Sequence, residues 1–412
     1  MKDKHVTIIG GGVAGLSAAL DLAQFGIHVD VIEAFGFLGG HAIQFACKAT
    51  DQCVRCGACV VEEKLRQATA HPGIHLFADS RCKTTRKENG FFVERRQGPV
   101  CIDPQKCNDC GVCYDECPEN AIIKGTSASH RPFYFLDHDR CSYFQNTACD
   151  ICQKRCPQDA IRLDTPPHVE TGRTDAILLA TGFTPYNPKD KPYGYGVFKN
   201  VVTNLDLEAI LRRRGNAAKP SDQAAANRIA FVQCVGSRDK KLNHLWCSRV
   251  CCGSALRVAG LIKFKQPEAD ITCFYIDIQS FGKDFETFYT RIKNDIRFVR
   301  SIPGDIFEQE DKRLKVIYAD PVTHESCEEL FDLVVLCIGL CPNRGAADVI
   351  DLLRFKTNDD GFLPGHPSNG SPQEGGVFVA GTAAGPMSIP ESIATAGSAA
   401  REMLEYLGRE AI

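Results

Sequence analysis

The segment Val6-Thr-Ile-Ile-Gly10-Gly-Gly12-Val-Ala-Gly15 decides the fold of this chain. Its apolar run and glycine turn lead into a periodic apolar stretch that ends at Phe25, which predicts a strand, a turn and a helix. A second strand is predicted over Val29 to Ile32, and Glu33 closes it 18 residues after Gly15. Glycines let the backbone approach a pyrophosphate, a helix N-terminus offers unpaired N–H groups, and an acid accepts ribose hydroxyls. The segment therefore predicts a dinucleotide site, with a glycine turn of purely structural origin as the alternative.

Composition bounds the class of protein. The 412 residues, 44% of them hydrophobic, are enough for two or three domains. The formal net charge of -3 argues against nucleic acid as a partner, since no basic run extends beyond Leu211-Arg-Arg-Arg. No secretory signal is recognisable at the N-terminus, and no apolar stretch approaches the roughly 18 to 20 residues needed to cross a bilayer. We therefore expect a cytoplasmic protein without a membrane span.

Apolar runs with the character of strands return later in the chain, separated by helical stretches such as Leu256 to Lys263. These runs begin at Ala176, Ile229, Leu333 and Val377. Alternation of strands and helices predicts a parallel, doubly wound sheet. The Pro-, Gly- and charge-rich stretch from Pro185 to Asp222 is expected to connect two domains.

Three further segments resemble those of flavoproteins with two dinucleotide-binding domains: Gly39-Gly40, Leu179-Ala-Thr-Gly182 and Gly376-Val-Phe-Val-Ala-Gly381. The resemblance implies that FAD occupies the first dinucleotide site. The residues expected to bind it are Gly10, Gly12, Gly15, Glu33, Gly39, Gly40, Thr181, Gly182 and Gly381.

A second glycine fingerprint, which would bind NAD(P)H in such flavoproteins, is missing. After the predicted strand from Ile229 to Val232 the chain reads Gln233-Cys-Val-Gly-Ser-Arg238. Direct oxidation of NAD(P)H is therefore not expected. The alternative is an NAD(P)H-dependent flavoprotein like the small subunit of glutamate synthase.

The 22 cysteines are the outstanding feature of the composition. In a reducing compartment they point to metal ligation or thiol redox chemistry instead of disulfides. Two runs between residues 101 and 165, each ending in Cys-Pro, are typical of two-cluster ferredoxins, in which the fourth Cys of each run crosses to the other cluster. We therefore predict one 4Fe-4S cluster on Cys107, Cys110, Cys113 and Cys156, and another on Cys117, Cys141, Cys149 and Cys152. The longer gap between Cys141 and Cys149 departs from the simplest pattern, and a structural zinc module is the alternative.

The remaining cysteines fall into three groups. A strand end and a helix could bring four thiols together around a third 4Fe-4S cluster, or these cysteines could be buried apolar residues; they are Cys234, Cys247, Cys251 and Cys252. A second group follows Gly39-Gly40 near the expected flavin site, in the segment 39–59, which we call the flavin loop. These cysteines could ligate a cluster, form a redox-active thiol pair or be partly structural: Cys47, Cys53, Cys56 and Cys59. Burial is expected for those without a ligand pattern, Cys82, Cys101, Cys273, Cys327, Cys337 and Cys341.

The order of these motifs resembles the heterodisulfide reductase A-type flavoproteins. The resemblance includes the segments that begin at Phe231, Trp246 and Gly385 as well as the ferredoxin insert. It implies that Cys234, Cys247, Cys251 and Cys252 ligate a cluster close to the flavin. Arg257 stands where flavin-bifurcating members are expected to have Lys, so electron bifurcation stays open.

Within that family the chain looks most like the A subunit of the quinone-interacting membrane-bound oxidoreductase complex of sulfate reducers. This likeness implies partner subunits, namely a paralogous flavoprotein and a membrane quinone-reactive subunit, which would hold the protein at the inner membrane. It also implies an electron relay between menaquinone and adenylylsulfate reductase. The alternatives are a heterodisulfide reductase-like A subunit of another electron-transfer or flavin-bifurcating complex, and a zinc-stabilised scaffold.

The expected fold is an α/β, two-dinucleotide-binding-domain flavoprotein, thioredoxin reductase-like, with an inserted two-cluster ferredoxin module. Residues 1–100 are expected to begin the FAD-binding domain and 101–165 to form the ferredoxin-like insert. Residues 166–225 would return as a strand and linker, 226–336 form a second Rossmann-like domain, and 337–412 complete the FAD-binding domain. No catalytic side chain is predicted, because electron transfer rests on cofactors. His41, in the flavin loop, is expected to be structural.

Overall fold

The computed structural model describes residues 4–51, 53–87, 90–98, 101–103, 105–126, 132–138, 140–145, 148–279, 285–343, 356–364 and 375–408. The strands, numbered in chain order, are β1 (His5–Ile9), β2 (His28–Ile32), β3 (Ile74–Phe77), β4 (Ser80–Lys87), β5 (Gly90–Gln97), β6 (Ile122–Thr126), β7 (Pro132–Leu136), β8 (His168–Thr174), β9 (Ala176–Leu179), β10 (Phe183–Pro185), β11 (Val201–Thr203), β12 (Arg228–Val235), β13 (Asp270–Phe274), β14 (Arg297–Val299), β15 (Asp305–Glu308), β16 (Leu314–Ala319), β17 (Ser326–Phe331), β18 (Leu333–Ile338), β19 (Leu340–Pro342) and β20 (Val377–Val379). The α-helices are α1 (Val13–Gln24), α2 (Ala58–Ala70), α3 (Val112–Asp115), α4 (Ile151–Arg155), α5 (Asn204–Arg214), α6 (Cys251–Lys265), α7 (Phe285–Ile292) and α8 (Ile389–Tyr406).

The first domain is built on a five-stranded parallel sheet in the order β20-β9-β1-β2-β3. Helices α1 and α8 pack together and share a core with the sheet, in which Val6, Leu16 and Met403 are fully buried. Helix α8 begins in a capping box, because the Ser388 hydroxyl accepts the Glu391 N–H and the Glu391 carboxylate accepts the Ser388 N–H. Val13 at the start of α1 and Ile389 at the start of α8 pack against the same small core, so the two helices begin close together.

The second domain repeats this plan with the parallel sheet β11-β18-β12-β13-β14. Every residue of β18 is buried, as expected for a parallel strand that is covered on both faces. Strand β11 and helix α5 lie inside the stretch that the sequence predicts as a connection, Pro185 to Asp222, so that stretch contributes a strand to the second sheet. The antiparallel sheet β15-β16-β17 lies beside this domain.

The Cys-rich module interrupts the antiparallel sheet β4-β5-β8. It leaves this sheet after β5 and returns at β8, and these two strands are direct neighbours. A module inserted between paired strands has its two ends close together, so the host sheet is not disturbed. The module has its own small core, which includes Ala121, Ile122 and Ile161.

Contacts between the two domains are polar as well as apolar. The antiparallel strands β10 and β19 cross from one domain to the other. Lys48 of the first domain and Glu208 of α5 form a buried ion pair at 2.5 Å, and Arg212 donates to the Ile43 carbonyl. In the described part of the chain no helix combines the length and the apolar character needed to cross a membrane.

Candidate functional site

At two positions of the glycine turn after β1, the surrounding backbone leaves no space for a side chain. Gly10 has φ +109°, and a Cβ there would collide with the Ala180 carbonyl. A Cβ on Gly15 would collide with the Gly10 carbonyl, because α1 starts directly against the turn. Both glycines are therefore needed for the strand, turn and helix to pack.

Gly12 is different, because the protein leaves room for a side chain there. Its φ is -76°, and the nearest atom to an added Cβ is the Gly40 Cα at 4.0 Å. Gly12 and Gly40 both line a cavity of about 1080 Å³. The space in front of Gly12 is thus available to a ligand, which suits a pyrophosphate approaching the start of α1.

Glu33 is buried at the end of β2, with 8% of its surface exposed. Its two carboxylate oxygens accept the N–H groups of Gly11 at 2.8 Å and Phe35 at 2.9 Å. Burial raises the pKa of Glu33, and these backbone N–H groups oppose that shift. The carboxylate is thereby fixed at the wall of the cavity, where it can accept ribose hydroxyls.

Seven of the nine residues predicted to bind FAD line this single cavity: Gly10, Gly12, Glu33, Gly39, Gly40, Thr181 and Gly182. Gly15 lies behind it against Gly10, and Gly381 has φ +69° with its added Cβ only 2.7 Å from the Ala14 Cβ. The cavity is large enough for a dinucleotide cofactor, at the upper end of ordinary ligand sites. Its residues therefore fit the predicted FAD.

In the ferredoxin-like module, thiols of the first predicted set lie near thiols of both cysteine runs. Burial, together with the nearby thiols of Cys110 and Cys156, raises the pKa of Cys107. Burial and the thiols of Cys107 and Cys152 raise the pKa of Cys113 to about 11. These neighbours include the crossing member, Cys156, which comes from the second run.

The second set lies around Cys141. Burial raises the pKa of Cys141, and the thiols of Cys117 and Cys149 act in the same direction. Burial and then Cys141, Cys117 and Cys149 raise the pKa of Cys152 to about 11. Despite its longer spacing from Cys149, Cys141 thus lies with the other thiols of its predicted set.

Each crossing cysteine accepts a backbone hydrogen bond. The Ala121 N–H lies 3.3 Å from Cys117 Sγ, and the Ala160 N–H lies 3.3 Å from Cys156 Sγ. Backbone N–H groups directed at ligand sulfurs help to set cluster potentials. The two runs are therefore alike in geometry as well as in sequence.

The thiol site of the second domain lies at the carboxyl end of β12, where a dinucleotide-binding domain would hold its cofactor. Its members are Cys234, Cys247, Cys251 and Cys252. Cys234 sits at the carboxyl end of β12 with φ +62°, and Cys251 and Cys252 open α6. Burial, with Cys252 and Cys247 nearby, raises the pKa of Cys234 to about 11. A helix N-terminus favours anionic groups, including thiolate-bound clusters.

This thiol site touches the cavity. Cys251 lines it, as does Arg249, whose side chain reaches the Pro386 carbonyl at 3.3 Å and the Glu391 carboxylate at 2.7 Å. Two buried cysteines that the sequence pattern did not single out, Cys273 and Cys337, are also close to the site. Their isolated spacing in sequence gave no signal of this proximity.

The four cysteines of the flavin loop do not share one environment. Cys53 and Cys56 line the cavity, whereas Cys47 and Cys59 are exposed and do not line it.

Among the described residues, which include all 22 cysteines, there is no disulfide. Nor do three His, Cys, Asp or Glu side chains of that part of the chain converge on a position for a single metal ion.

Asp79, which the sequence analysis did not indicate, lies between the module and the first domain. Burial raises the pKa of Asp79 to about 7, with Arg81 opposing and Asp137 adding to the shift. His138 of the module has Nδ1 at 3.7 Å from Asp79 Oδ1, and its Nε2 is 3.7 Å from Cys101 Sγ. The two groups come together only in the tertiary structure.

His41 lies at the cavity wall but points to the backbone. Its Nε2 is 3.3 Å from the Phe183 carbonyl, and burial lowers the pKa of the ring. It also packs on the Phe183 ring. These contacts connect the flavin loop to strand β10.

Two sequence families match parts of the chain. A family of FAD-dependent oxidoreductases matches residues 5–49, and a 4Fe-4S binding domain family matches residues 100–123. These matches cover the glycine turn with β2 and the first cysteine run of the module.

Longer similarity extends to A subunits of heterodisulfide reductases. The A subunit of the H(2):CoB-CoM heterodisulfide,ferredoxin reductase of Methanothermobacter marburgensis is 35% identical over 99% of this chain and 65% of the relative. The iron-sulfur A subunit of the CoB--CoM heterodisulfide reductase of Methanocaldococcus jannaschii is 35% identical over 97% of this chain and 63% of the relative. The chain thus spans somewhat under two thirds of the length of these proteins.

Solved structures show the fold. Thioredoxin reductase from T. acidophilum superposes with a TM-score of 0.56 at 14% identity, covering 99% of both chains. Thioredoxin reductase from Lactococcus lactis has a TM-score of 0.55 at 14% identity, covering 98% of this chain and 99% of that one. The predicted fold class is confirmed. The chain has a thioredoxin reductase-like fold, contains segments that match the FAD-dependent oxidoreductase and 4Fe-4S binding domain families, and is similar over nearly its whole length to A subunits of heterodisulfide reductases.

Proposed function

We propose that this protein is the FAD and iron–sulfur electron-transfer subunit of a multi-subunit oxidoreductase. One observation carries the proposal: the cavity lined by the dinucleotide glycines is also lined by Cys251 of the thiol site and by Ile123 of the ferredoxin-like module. A cofactor held there would lie between the thiol site and the module. Short separations between redox centres are what an electron relay requires.

The chain's own residues have distinct tasks in this proposal. Gly12 and Gly40 leave room for the pyrophosphate, and Glu33 receives the ribose. Bound FAD would supply the exchange between two-electron and one-electron transfer, which side chains cannot perform. Three 4Fe-4S clusters are proposed on the predicted ligand sets, the first being Cys107, Cys110, Cys113 and Cys156, the second Cys117, Cys141, Cys149 and Cys152, and the third Cys234, Cys247, Cys251 and Cys252.

The relatives favour one of the two kinds of complex to which this protein could belong. The similarity to A subunits of heterodisulfide reductases supports a heterodisulfide reductase-like role in an electron-transfer or bifurcating complex. The narrower placement, in a quinone-interacting complex at the inner membrane that relays electrons between menaquinone and adenylylsulfate reductase, rests on the order of sequence motifs. Co-purification of the chain with a quinone-reactive membrane protein would support it, and co-purification with heterodisulfide-cleaving subunits would support the other.

The test is the metal and flavin content of the protein purified without oxygen, alongside the double variant Cys251→Ser/Cys252→Ser. We expect about twelve irons and one FAD per chain in the wild type, and about four irons fewer in the variant with the flavin retained. Cys327→Ser is the matched control, because Cys327 lies on β17 away from the cavity-lining residues. Zinc in place of iron, on a colourless protein, would instead support a scaffold.

A further inference from the structure

The segment Cys53-Val-Arg-Cys56-Gly57 turns sharply before α2. Arg55 has φ +50° and Gly57 has φ +80°, so two left-handed residues flank Cys56. The Arg55 N–H lies 3.4 Å from Cys53 Sγ. A Cβ on Gly57 would come within 3.0 Å of Ile389 at the start of α8, so the turn packs against this helix of the first domain.

Only one pair of the four thiols in this region faces the cavity. Cys53 and Cys56 line the cavity together with Gly12, Gly40 and Cys251. Cys53 is exposed and Cys56 is half-buried. A cluster on this segment would need further thiolates, and Cys47 and Cys59 do not line the cavity.

A cation from the second domain reaches this pair. The Arg257 side chain comes from α6, lines the cavity and donates from Nε to the Val54 carbonyl at 3.4 Å. Burial lowers the pKa of Arg257, and the Cys56 thiol opposes that shift. The Arg257 hydrogen bond to Val54 thus reaches the backbone between the two cysteines of the turn.

We propose that Cys53 and Cys56 are a redox-active dithiol that exchanges an electron pair with the flavin in this cavity, and that they are not ligands of a further cluster. The inference rests on the FAD-binding part of the proposed function. When the S–S bond forms, the two thiols lose two electrons and two protons, and oxidised FAD gains them. In the reverse direction the S–S bond breaks, and reduced FAD supplies both electrons and both protons. C-x-x-C turns beside a βαβ unit are a known setting for such chemistry.

The experiment uses the holoprotein, alkylated without oxygen after poising with diamide or with dithionite. In the oxidised sample we expect the peptide with Cys53 and Cys56 to resist alkylation and to be lighter by two hydrogen atoms. In the reduced sample both thiols should be alkylated. Alkylation of both cysteines in both samples would overturn the proposal.

Iron content separates the dithiol from a cluster. Cys53→Ser and Cys56→Ser should keep the wild-type iron and FAD content, and each should take up two electrons fewer in an anaerobic reductive titration. Cys47→Ser and Cys59→Ser are the matched controls and should match the wild type in both measurements. Loss of about four irons in the Cys53 and Cys56 variants would show a cluster instead. A wild-type protein without FAD would contradict the proposed function itself, whereas FAD with no reversible disulfide would contradict only this inference.

The role of Arg257 can be measured separately as a positioning residue. Arg257→Leu should slow formation of the disulfide between Cys53 and Cys56, because the turn between them loses the hydrogen bond to the Val54 carbonyl, and Arg257→Lys should restore the rate. An equal rate in all three proteins would remove Arg257 from the proposal.

Discussion

At the scale of single residues, Gly12 and Gly15 belong to one motif but meet different constraints. Gly15 is fixed by the backbone of the protein, since an added Cβ would collide with the Gly10 carbonyl. Gly12 has free space in front of it and an ordinary φ. The glycine at position 12 is therefore explained by a ligand and not by folding.

We expect Gly12→Ala to fold normally but to lose most of its FAD, because the methyl group would stand where the pyrophosphate approaches. Gly15→Ala should lower the yield of folded protein, since α1 could not pack on the turn. Flavin absorbance per chain and the circular dichroism spectrum measure the two effects. A Gly12→Ala protein with full flavin occupancy would contradict the assignment of this cavity to FAD.

Asp79 gives the protein a pH dependence with a definite sign. Its pKa is raised from 3.8 to about 7 by burial, so the folded state binds more protons than the unfolded state between these values. This contribution to stability is present at low pH and is lost as pH rises towards and through about 7.

We therefore expect Asp79→Asn to lose less thermal stability than the wild type when pH rises from about 5 to about 8, because no carboxylate has to ionise beside the module. The apparent unfolding temperature of the holoprotein, followed by flavin fluorescence, measures this. Asp295→Asn is the control, since Asp295 is exposed, and it should follow the wild type. Parallel curves for the wild type and Asp79→Asn would show that Asp79 is ionised throughout.

At the scale of elements, the flavin loop is attached to α5 of the second domain by buried charge. The Lys48 and Glu208 side chains are only 3% and 4% exposed, and Glu208 also accepts the Ala46 N–H at 2.9 Å. Lys48 Nζ further donates to the Ala46 carbonyl at 3.2 Å. These bonds attach the loop that leads to Cys53 and Cys56 to α5 of the second domain.

Removing one charge of this pair should cost more than removing both. Lys48→Met leaves a buried carboxylate without its cation, for which about 3 to 5 kcal/mol is typical. Lys48→Met/Glu208→Gln should recover part of this loss, because Gln still accepts the Ala46 N–H. The urea midpoint of the holoprotein measures both variants, with Lys315→Met in a half-exposed pair as control. A single variant that costs no more than this control would mean that water reaches the pair.

At the scale of the whole molecule, the two domains share one plan but differ where the first strand of each dinucleotide unit ends. In the first domain the turn is open at Gly12. In the second, Cys234 lies at the end of β12, and an added Cβ on Gly236 would collide with the Tyr186 ring. The second turn is therefore filled by thiols and an aromatic ring where a nucleotide would need space.

We accordingly expect NADH and NADPH to leave the flavin absorbance unchanged under anaerobic conditions, while dithionite bleaches it. The physical reason is the missing pyrophosphate cradle after β12. Cofactor absorbance recorded on mixing is the measurement. Rapid bleaching by either nicotinamide cofactor would favour the NAD(P)H-dependent flavoprotein instead.

The sequence by itself determined the fold class, because strand, glycine turn, helix and acid are encoded within one short segment and the module within one run of cysteines. Local spacing also predicted two ligand sets in the module, and these sets stay predictions. The family resemblance implied that Cys251 lies near the flavin, whereas the tertiary structure alone decided that Arg257 reaches the turn of Cys53 and Cys56 at the same cavity, and that Lys48 reaches Glu208. These contacts join residues far apart in the chain, and their geometry depends on how two domains pack, which no local pattern specifies.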